Sequence, residues 1–509
     1  MPALFLIGFM AAGKSTVGAL LAKKRGRRFV DLDDHVDPQI LKTDEAEFRR
    51  QEAAALLAAI SDDVVIATGG GAAAYGDNLE KMKAAGCVIA LDVDVATAKA
   101  RAVGGAERPL LARGDDAVRR LAAERAPIYR RAHAVVSTTG RAIEDVVDDV
   151  DHVERVFTRV RSVDSHDVTI VALGARSYPI VVGPGFHEDA IRAVVGTGRV
   201  AAISDSNVSA LWNVGLPTTV MPAGEPHKTL ATYERLTDDL IPQLDRGSTI
   251  VALGGGVVGD MAGFVAATMF RGIAIVQVPT TIVAMTDAAI GGKTAVDTRA
   301  GKNLLGAFHQ PKLVACNTDT LKTLPDRERR AGFGELWKYA LLDGEHLWTL
   351  VDACAAWSRG GGAMPREMND VIARSVAYKA AVVGADEQER GNMRVLLNLG
   401  HTVGHAIESE HGLVHGESVG LGLVVACRVS RELGFSDLET RVADALARSG
   451  LPHDPRAYLS EATIARISVD KKRSGNSVRF IAIREVGACE PVELPLQKLG
   501  EILRAYASA

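Results

Sequence analysis

Residues 3–26 read ALFLIGFMAAGKSTVGALLAKKRG. A short apolar run meets a glycine turn, and the turn opens directly into a helical pattern. No other stretch constrains the fold as tightly. The turn matches G-x-x-x-x-G-K-[ST] from Gly8 to Ser15, and the order strand, loop, helix is the context that gives the motif meaning. Backbone N–H groups at such a turn, together with the helix N-terminus, attract phosphate. The pattern puts Gly8, Gly13, Lys14, Ser15 and Thr16 on the phosphates of a nucleotide, ATP, with the Ser15 hydroxyl on Mg²⁺.

The rhythm continues. RRFVDLD, VVIATGGG and GCVIALD read as further strands, and RAIEDVVDDVDHVERVF as a helix. Strands alternating with helices predict a parallel sheet covered on both faces. After the polar SVDSHD, residues 162–167, a second α/β series begins. VTIVALGARSYPIVVGPG reads as two β segments around a turn, followed by VAAISDSNV, TTVMPAG, TIVALGGG and AIVQVPTT. From about Thr320 helical periodicity dominates, with VRFIAI as a strand-like interruption. The expected fold class is α/β. Its expected domains are 1–161 (P-loop), 162–167 (linker), 168–319 (α/β nucleotide-binding) and 320–509 (mostly helical).

Lys and Arg total 59 against 63 Asp and Glu, a net charge of −4. That gives no global reason to expect nucleic acid or an anionic membrane as partner. Five cysteines without paired spacing suggest reduced thiols. The apolar start lacks a basic region before it, and VVGDMAGFVAATMF is broken by Asp260 and too short for a bilayer span. The expectation is a cytoplasmic protein.

FVDLD sets Asp31 and Asp33 two apart at a strand end, which would put both on one face. One can organise a magnesium-bound water and the other an acceptor hydroxyl. FRRQE, ATGGG, RPLL and RAPIY follow in order. Together with the P-loop, this set resembles shikimate kinase, a nucleoside-monophosphate-kinase-like fold, over residues 1 to about 150. The resemblance implies that Asp31 assists Mg²⁺ and that Asp33 holds shikimate near the transferred phosphoryl group. It implies that Arg49 and Arg125 pair with the substrate carboxylate and that Gly69, Gly70 and Gly71 line the substrate side. Arg108 would stabilise the transferring charge from a lid. Two departures stand out. Ala11 occupies a position that is usually glycine, which is tolerable if φ is negative there. The stretch between Asp33 and Arg49 is also shorter than usual, which affects the acceptor lobe.

LGGGVVGD follows a strand and is by itself a weak signal for pyrophosphate binding. DAAIGGKTAVDTRAGKN offers Asp287, Lys293, Lys302 and Asn303 in what reads as a glycine-rich loop suited to an anionic ligand. GHTVGHAIESEHGLVHGE, residues 400–417, holds four of thirteen histidines. His401 and His405 are i and i+4 and share a helix face. Thr402 stands where a zincin needs glutamate, so the HExxH reading fails. A metal site could instead join one helical histidine, the HGE histidine and a carboxylate such as Glu335 in AGFGELWKYALL. Two His and one Glu leave positions open for chemistry.

RSYPIVVGPG, PAGEPHKT, GGGVVGD, VPTT, IGGKTAVDTRAGKNLLGAF, AGFGELWKY, LLNLGHTVGHAIE, HGE and DKK run in one order across most of the remaining chain. This series resembles 3-dehydroquinate synthase. The resemblance implies NAD and a divalent metal, Zn²⁺ or Co²⁺, with Glu335, His401 and His415 as ligands. Asp205, Asn207, Glu225, Lys228, Gly255, Gly256, Asp260, Thr280 and Thr281 would surround NAD, with Lys302 at its junction with substrate. Asp287, Lys293, Asn303, Lys338, Lys379, Arg394, Asn398 and His405 would surround 3-deoxy-D-arabino-heptulosonate 7-phosphate. Arg271 would reach a substrate phosphate across a homodimer, and Lys472 would be a further contact. The substrate-loop glutamate stays open between Glu387 and Glu389, and His411 reads as a bystander. The implied reaction eliminates phosphate and closes a ring with no net redox. The competing reading is a glycerol dehydrogenase-like metal-NAD enzyme fused to an ATP-binding module with weak or lost kinase activity. That reading leaves the lysine-rich segment unexplained.

Overall fold

The structure is a computed structural model that describes residues 1–102, 114–164, 166–389, 393–471 and 475–508. Arg108 and Lys472 lie outside the described residues. The chain divides into two compact units, Met1–Val181 with Val383–Ala385, and Val182–Val382 with Asp386–Ala509.

In the first unit the strands β1 (Ala3–Gly8), β2 (Arg28–Asp31), β3 (Val64–Ala67), β4 (Gly86–Asp92) and β5 (Ala134–Ser137) form a sheet of order β2-β3-β1-β4-β5. Every pairing is parallel. β1 and β3 are buried along their whole lengths, as strands covered on both faces must be. Because β1 and β3 are neighbours running the same way, the turns after Gly8 and after Ala67 emerge side by side at one sheet edge. The carboxyl ends of parallel strands are where α/β sheets bind ligands. Helix Ile143–Arg161 closes the unit by burying Val146, Val150, Val153, Phe157 and Val160, an apolar stripe at helical spacing. This unit also takes in β6 (Asp167–Val171) and the start of β7 (Tyr178–Gly183).

The second unit contains β8 (Val200–Asp205), β9 (Thr218–Met221), β10 (Thr249–Gly254), β11 (Ala274–Pro279), β12 (Lys293–Thr298), β13 (Gly301–Phe308) and β14 (Leu313–Asn317). The run β14-β11-β10-β8-β9 is parallel. β12 and β13 form a separate antiparallel hairpin with Lys293 opposite Phe308. Its lysines and glycines read as a loop, but the alternation of Thr294, Val296 and their partners is enough to pair two strands. After residue 320 helices dominate, among them Asp326–Asp343, Glu367–Ala385, His401–His411 and His415–Glu432. VRFIAI falls in β15 (Ser477–Glu485), paired with β16 (Ala488–Pro495). No described helix is long and apolar enough to cross a membrane.

Glycines set the spacing of three of these helices. A Cβ on Gly416 would overlap the Ala331 carbonyl oxygen and lie 2.6 Å from its carbon. One on Gly422 would overlap the Gly400 carbonyl, 2.8 Å from its carbon. Helices Asp326–Asp343 and His401–His411 therefore both lie with backbone against the backbone of His415–Glu432. Side chains one turn along from those crossings are forced together.

Candidate active sites

In the first unit Gly13 caps the helix Lys14–Arg25 in the left-handed region, with φ +95°. Lys14 is buried, and its Nζ donates to the carbonyls of Gly8 (3.0 Å) and Phe9 (2.9 Å). Ser15 and Thr16, beside it, are exposed at the mouth of the loop. Ala11 has φ +60°, contrary to the negative value that would make alanine harmless there. The loop needs a left-handed residue at that point to turn its amides inward, and alanine bears the strain.

Asp31 and Asp33 do not share a strand face. The strand ends at Asp31, and Leu32–His35 is a 3-10 turn capped by Asp31, whose Oδ1 accepts the Asp33 amide at 3.2 Å. The turn points Asp33 toward the glycines instead, since a Cβ on Gly69 would lie 3.2 Å from Asp33 Oδ1. A Cβ on Gly70 would lie 3.4 Å from Arg125 Nη1, and one on Gly71 would lie 2.6 Å from Arg49 Nη1. Asp33, Arg49, Arg125 and Gly69–Gly71 thus converge. Glu52 and Tyr129 belong to the same cluster and carried no assignment from sequence. Arg49 Nη1 donates to Glu52 Oε2 at 2.7 Å, and the Tyr129 hydroxyl to the Gly70 carbonyl at 2.5 Å. Burial pushes the Glu52 carboxyl up despite Arg49, and pushes the Tyr129 phenol up to about 12. The FRRQE spacing was the available signal for Glu52, since i and i+3 meet on a helix.

In the second unit the Glu335 carboxylate is fully buried between two imidazoles. Its Oε1 is 3.4 Å from His401 Nε2 and 3.3 Å from His415 Nε2. All three ligand atoms lie within 4.8 Å of one another. Neither Glu335 oxygen has a hydrogen-bond partner, although the Lys338 ammonium lies against Oε2. Burial alone would raise the Glu335 carboxyl, but Lys338, His401 and His415 hold it well below the usual range. The other ring nitrogens are occupied elsewhere. His401 Nδ1 lies 3.0 Å from the Leu399 carbonyl, and His415 Nδ1 lies 3.0 Å from Glu408 Oε2. A carbonyl or carboxylate at Nδ1 calls for N–H there, so each Nε2, the atom turned to Glu335, is the one that could give up its proton to a metal. Burial depresses His415, yet Glu335 and Glu408 raise it to about 10, so without a metal the ring itself carries the positive charge between them. A fully buried carboxylate with two imidazole Nε2 atoms converging on one of its oxygens fits a divalent metal of zinc type, which would take the place of ring protons.

His405 packs against the two histidines of this trio without facing Glu335 as they do. Its ring centroid is 5.0 Å from that of His401 and 5.8 Å from that of His415, and burial followed by those two rings pushes it down to about 4. His411 Nε2 lies 3.1 Å from the Tyr458 carbonyl, a structural contact away from the trio.

Charged side chains surround the trio. The π-helical turn Ala284–Ala288 presents Asp287, whose backbone oxygen and Oδ1 both accept from Lys379 Nζ at 2.6 Å. Burial opposes its charge, but Lys379 and Lys338 hold the Asp287 carboxyl far below the usual range. Lys293 Nζ and Arg394 Nε approach the same oxygen of Glu389, at 2.5 and 3.2 Å. Glu387 accepts from Gln310 through Oε1 at 3.0 Å and from Arg394 Nη1 through its backbone carbonyl at 2.5 Å, while the Glu389 carboxylate meets both Lys293 and Arg394. Asn398 ends the 3-10 turn Arg394–Asn398 just before the histidine helix.

A third group sits at the carboxyl ends of β8, β10 and β11. Gly255 caps the helix Gly256–Thr268, and a Cβ there would lie 3.2 Å from the Thr281 methyl. Thr280 Oγ1 is buried without a hydrogen-bond partner. Lys228 Nζ donates to Asp260 Oδ2 (2.5 Å) and to Asn303 Oδ1 (2.6 Å). Burial raises the Asp260 carboxyl against the pull of Lys228. Asp205 Oδ1 accepts the amides of Asn207 and Val208, and Glu225 opens the turn before Lys228. Gly256 opens the helix itself and no side chain caps it, so its first amides are available to an anionic group. Arg271 lies apart, exposed at the left-handed turn after that helix, with φ +70°.

Comparison with known families accounts for both units. The shikimate kinase family model matches residues 10–154. The 3-dehydroquinate synthase N-terminal and C-terminal models match residues 218–331 and 332–473. The 3-dehydroquinate synthase of Caulobacter vibrioides is 43% identical over 347 residues, covering 62% of this chain and 92% of that protein. Among solved structures, 2-deoxy-scyllo-inosose synthase complexed with carbaglucose-6-phosphate, NAD⁺ and Co²⁺ is 24% identical, with a TM-score of 0.58 over 67% of this chain and 99% of its own. A 2-epi-5-epi-valiolone synthase from Streptomyces hygroscopicus with NAD⁺ and Zn²⁺ bound is 23% identical, with a TM-score of 0.55 over 65% of this chain and 97% of its own. At such identities these two structures speak for the fold alone.

Proposed function

Because this chain belongs to the 3-dehydroquinate synthase family and carries a shikimate kinase domain ahead of it, we propose that it performs two steps of the shikimate pathway. The synthase converts 3-deoxy-D-arabino-heptulosonate 7-phosphate to 3-dehydroquinate and phosphate. The kinase transfers the ATP γ-phosphoryl group to the shikimate 3-hydroxyl. The glycerol dehydrogenase-like alternative is not favoured, since it has no use for Lys293, Lys379 and Arg394 around Asp287 and Glu389.

The observation that carries the synthase reading is the fully buried Glu335 carboxylate with the Nε2 atoms of His401 and His415 converging on its Oε1. We assign Glu335, His401 and His415 to the metal, and Gly255, Gly256, Asp260, Thr280 and Thr281, with Lys228, to NAD. When bound, these groups supply reversible hydride storage and Lewis-acid polarisation of a substrate hydroxyl. Lys293, Arg394 and Lys338 hold the substrate anions, for which fixed cations in a partly dry pocket are suited. Lys379 fixes Asp287 from two directions, so Asp287 can orient a hydroxyl without swinging. His405 is neutral above about pH 4 and can accept a proton on a ring nitrogen. Asn398 is assigned to a substrate hydroxyl, and Glu389 stands where a substrate anion would displace it from Lys293 and Arg394.

In the kinase, ATP and Mg²⁺ supply the phosphoryl group and neutralise its charge. Lys14 leaves the loop carbonyls for the phosphates, Asp33 orients the acceptor hydroxyl, and Arg49 and Arg125 take the acceptor carboxylate. Glu52 keeps Arg49 extended. We further propose residues 1–161 as the kinase, 168–319 as the NAD domain and 320–509 as the metal domain, in a cytoplasmic homodimer formed through the synthase half. The exposed Arg271 supports that dimer as a residue free to serve a neighbouring copy.

One assay pair tests this. Phosphate release from the heptulosonate should require NAD⁺, stop after dialysis against a chelator and return with Zn²⁺. Full activity in verified metal-free protein would overturn the metal assignment. ATP binding without phosphoryl transfer to shikimate would overturn the kinase.

A further inference from the structure

His401, His405 and Glu408 lie at i, i+4 and i+7 on the helix His401–His411, so all three share one face. Glu408 has no role in the assignments above. Its Oε2 is 3.0 Å from His415 Nδ1, and its Oε1 is 3.5 Å from Lys302 Nζ on β13. We infer that Glu408 is a positioning residue that fixes His415 as a metal ligand.

His415 needs such a partner more than His401 does. His401 is held by a backbone carbonyl of the turn leading into its own helix, and that carbonyl cannot leave without unwinding it. His415 is the first residue of its helix, follows the short loop Gly412–Val414 and is half-exposed. Without a partner at Nδ1 its ring could rotate or take the other tautomer, and then Nε2 would no longer offer a lone pair to a metal beside Glu335. A carboxylate at Nδ1 fixes ring and tautomer together and makes Nε2 a stronger donor. Lys302 reaches the second oxygen of Glu408 at 3.5 Å, a weak additional restraint on the carboxylate.

The same atoms admit a different arrangement. His405, Glu408 and His415 also have ligand atoms within 4.8 Å of one another, so Glu408 could itself bind the ion. The geometry argues for positioning. Glu408 meets one imidazole and an exposed lysine, whereas the fully buried Glu335 has two imidazole Nε2 atoms converging on a single oxygen. A divalent cation gains most where several donors converge on a buried charge.

The inference rests on the metal reading, and the experiment separates the two. Zn²⁺ affinity is measured by chelator competition on the full-length chain, alongside the absorption spectrum of the Co²⁺ form, for wild type, Glu335→Gln, Glu408→Ala and Glu408→Gln. Glu335→Gln should abolish tight binding, and unchanged affinity there would sink the metal reading itself. Glu408→Ala should weaken Zn²⁺ by about 10–100-fold while the cobalt spectrum keeps its coordination number. Glu408→Gln should recover part of that loss, because its amide oxygen still accepts the Nδ1 proton. If Glu408→Ala fails to fold, the glutamine variant alone decides, with an expected loss smaller than that of Glu335→Gln. Affinity within twofold of wild type in the Glu408 variants would overturn the inference. So would a loss equal to that of Glu335→Gln with a ligand missing from the cobalt spectrum, which would make Glu408 a ligand.

Discussion

Replacing Gly416 by alanine should damage the proposed metal site without altering any of the three residues assigned as its ligands. The added methyl would overlap the Ala331 carbonyl oxygen and lie 2.6 Å from its carbon and 3.1 Å from its Cα. Non-bonded carbons prefer about 3.5–4.0 Å, so the two helices must part by about 1 Å. Both neighbours are backbone, and no rotamer change can relieve the clash. Overpacking of this kind costs about 1–3 kcal/mol and occasionally more. At about 2–4 °C per kcal/mol for a large domain, the synthase transition should fall by about 3–10 °C. His415 precedes Gly416 directly, and Glu335 is one turn beyond Ala331. Metal–ligand distances tolerate only about 0.2 Å of error, so a 1 Å separation should weaken Zn²⁺ by at least about 100-fold. Calorimetry and chelator competition read the two effects. Gly360→Ala is the control, because a Cβ there meets nothing within 4 Å and its φ is ordinary. Wild-type zinc affinity together with an unchanged transition in Gly416→Ala would refute the claim that glycine crossings assemble this site.

The remaining expectations concern the first unit. Lys14→Met should abolish phosphoryl transfer to shikimate and leave phosphate release by the synthase within about twofold, which a paired assay reads; parallel loss of both would refute independent sites. Ala11→Gly should relieve the left-handed strain at φ +60°, raising kinase-unit stability by about 0.5–1 kcal/mol after the entropy of glycine is subtracted, as measured by denaturant melts. Burial holds His133 well below its ordinary value, while its Nδ1 accepts the Val88 amide at 2.9 Å. A depressed folded-state value means this contribution is present above the unfolded value near 6.5 and is lost as pH falls below it. The loss should approach about 1.4 kcal/mol per pH unit, and His133→Gln should flatten that acid limb in melts at pH 7, 6 and 5.

Much of the kinase site was legible because its chemistry is local. A glycine turn between a strand and a helix carries its own hydrogen-bonding logic, so Gly13 and Lys14 follow from a few adjacent residues. Asp33 shows the limit. Strand alternation put it beside Asp31, but the chain leaves the sheet at Asp31, and only the neighbouring β3 turn shows what Asp33 faces. Ala11 is a second case, since a side chain does not announce its φ. The β12–β13 hairpin was read as a loop because lysines and glycines have low strand propensity, while the pairing of Thr294 and Val296 across it is a partner effect.

The sequence by itself determined two α/β systems in series, the phosphate loop, and a set of histidines, carboxylates and lysines able to hold a metal and anions. Those features depend on residues within a few positions of one another, where periodicity and turn chemistry act directly. The resemblance named Glu335, His401 and His415, but only the tertiary structure shows how that carboxylate meets those imidazoles. Glu335, His401 and His415 start from three different helices and meet because glycine crossings let backbones touch. Glu408 is set at His415 Nδ1 by that same packing. Such contacts depend on interhelical distance, a quantity that no local run of residues encodes.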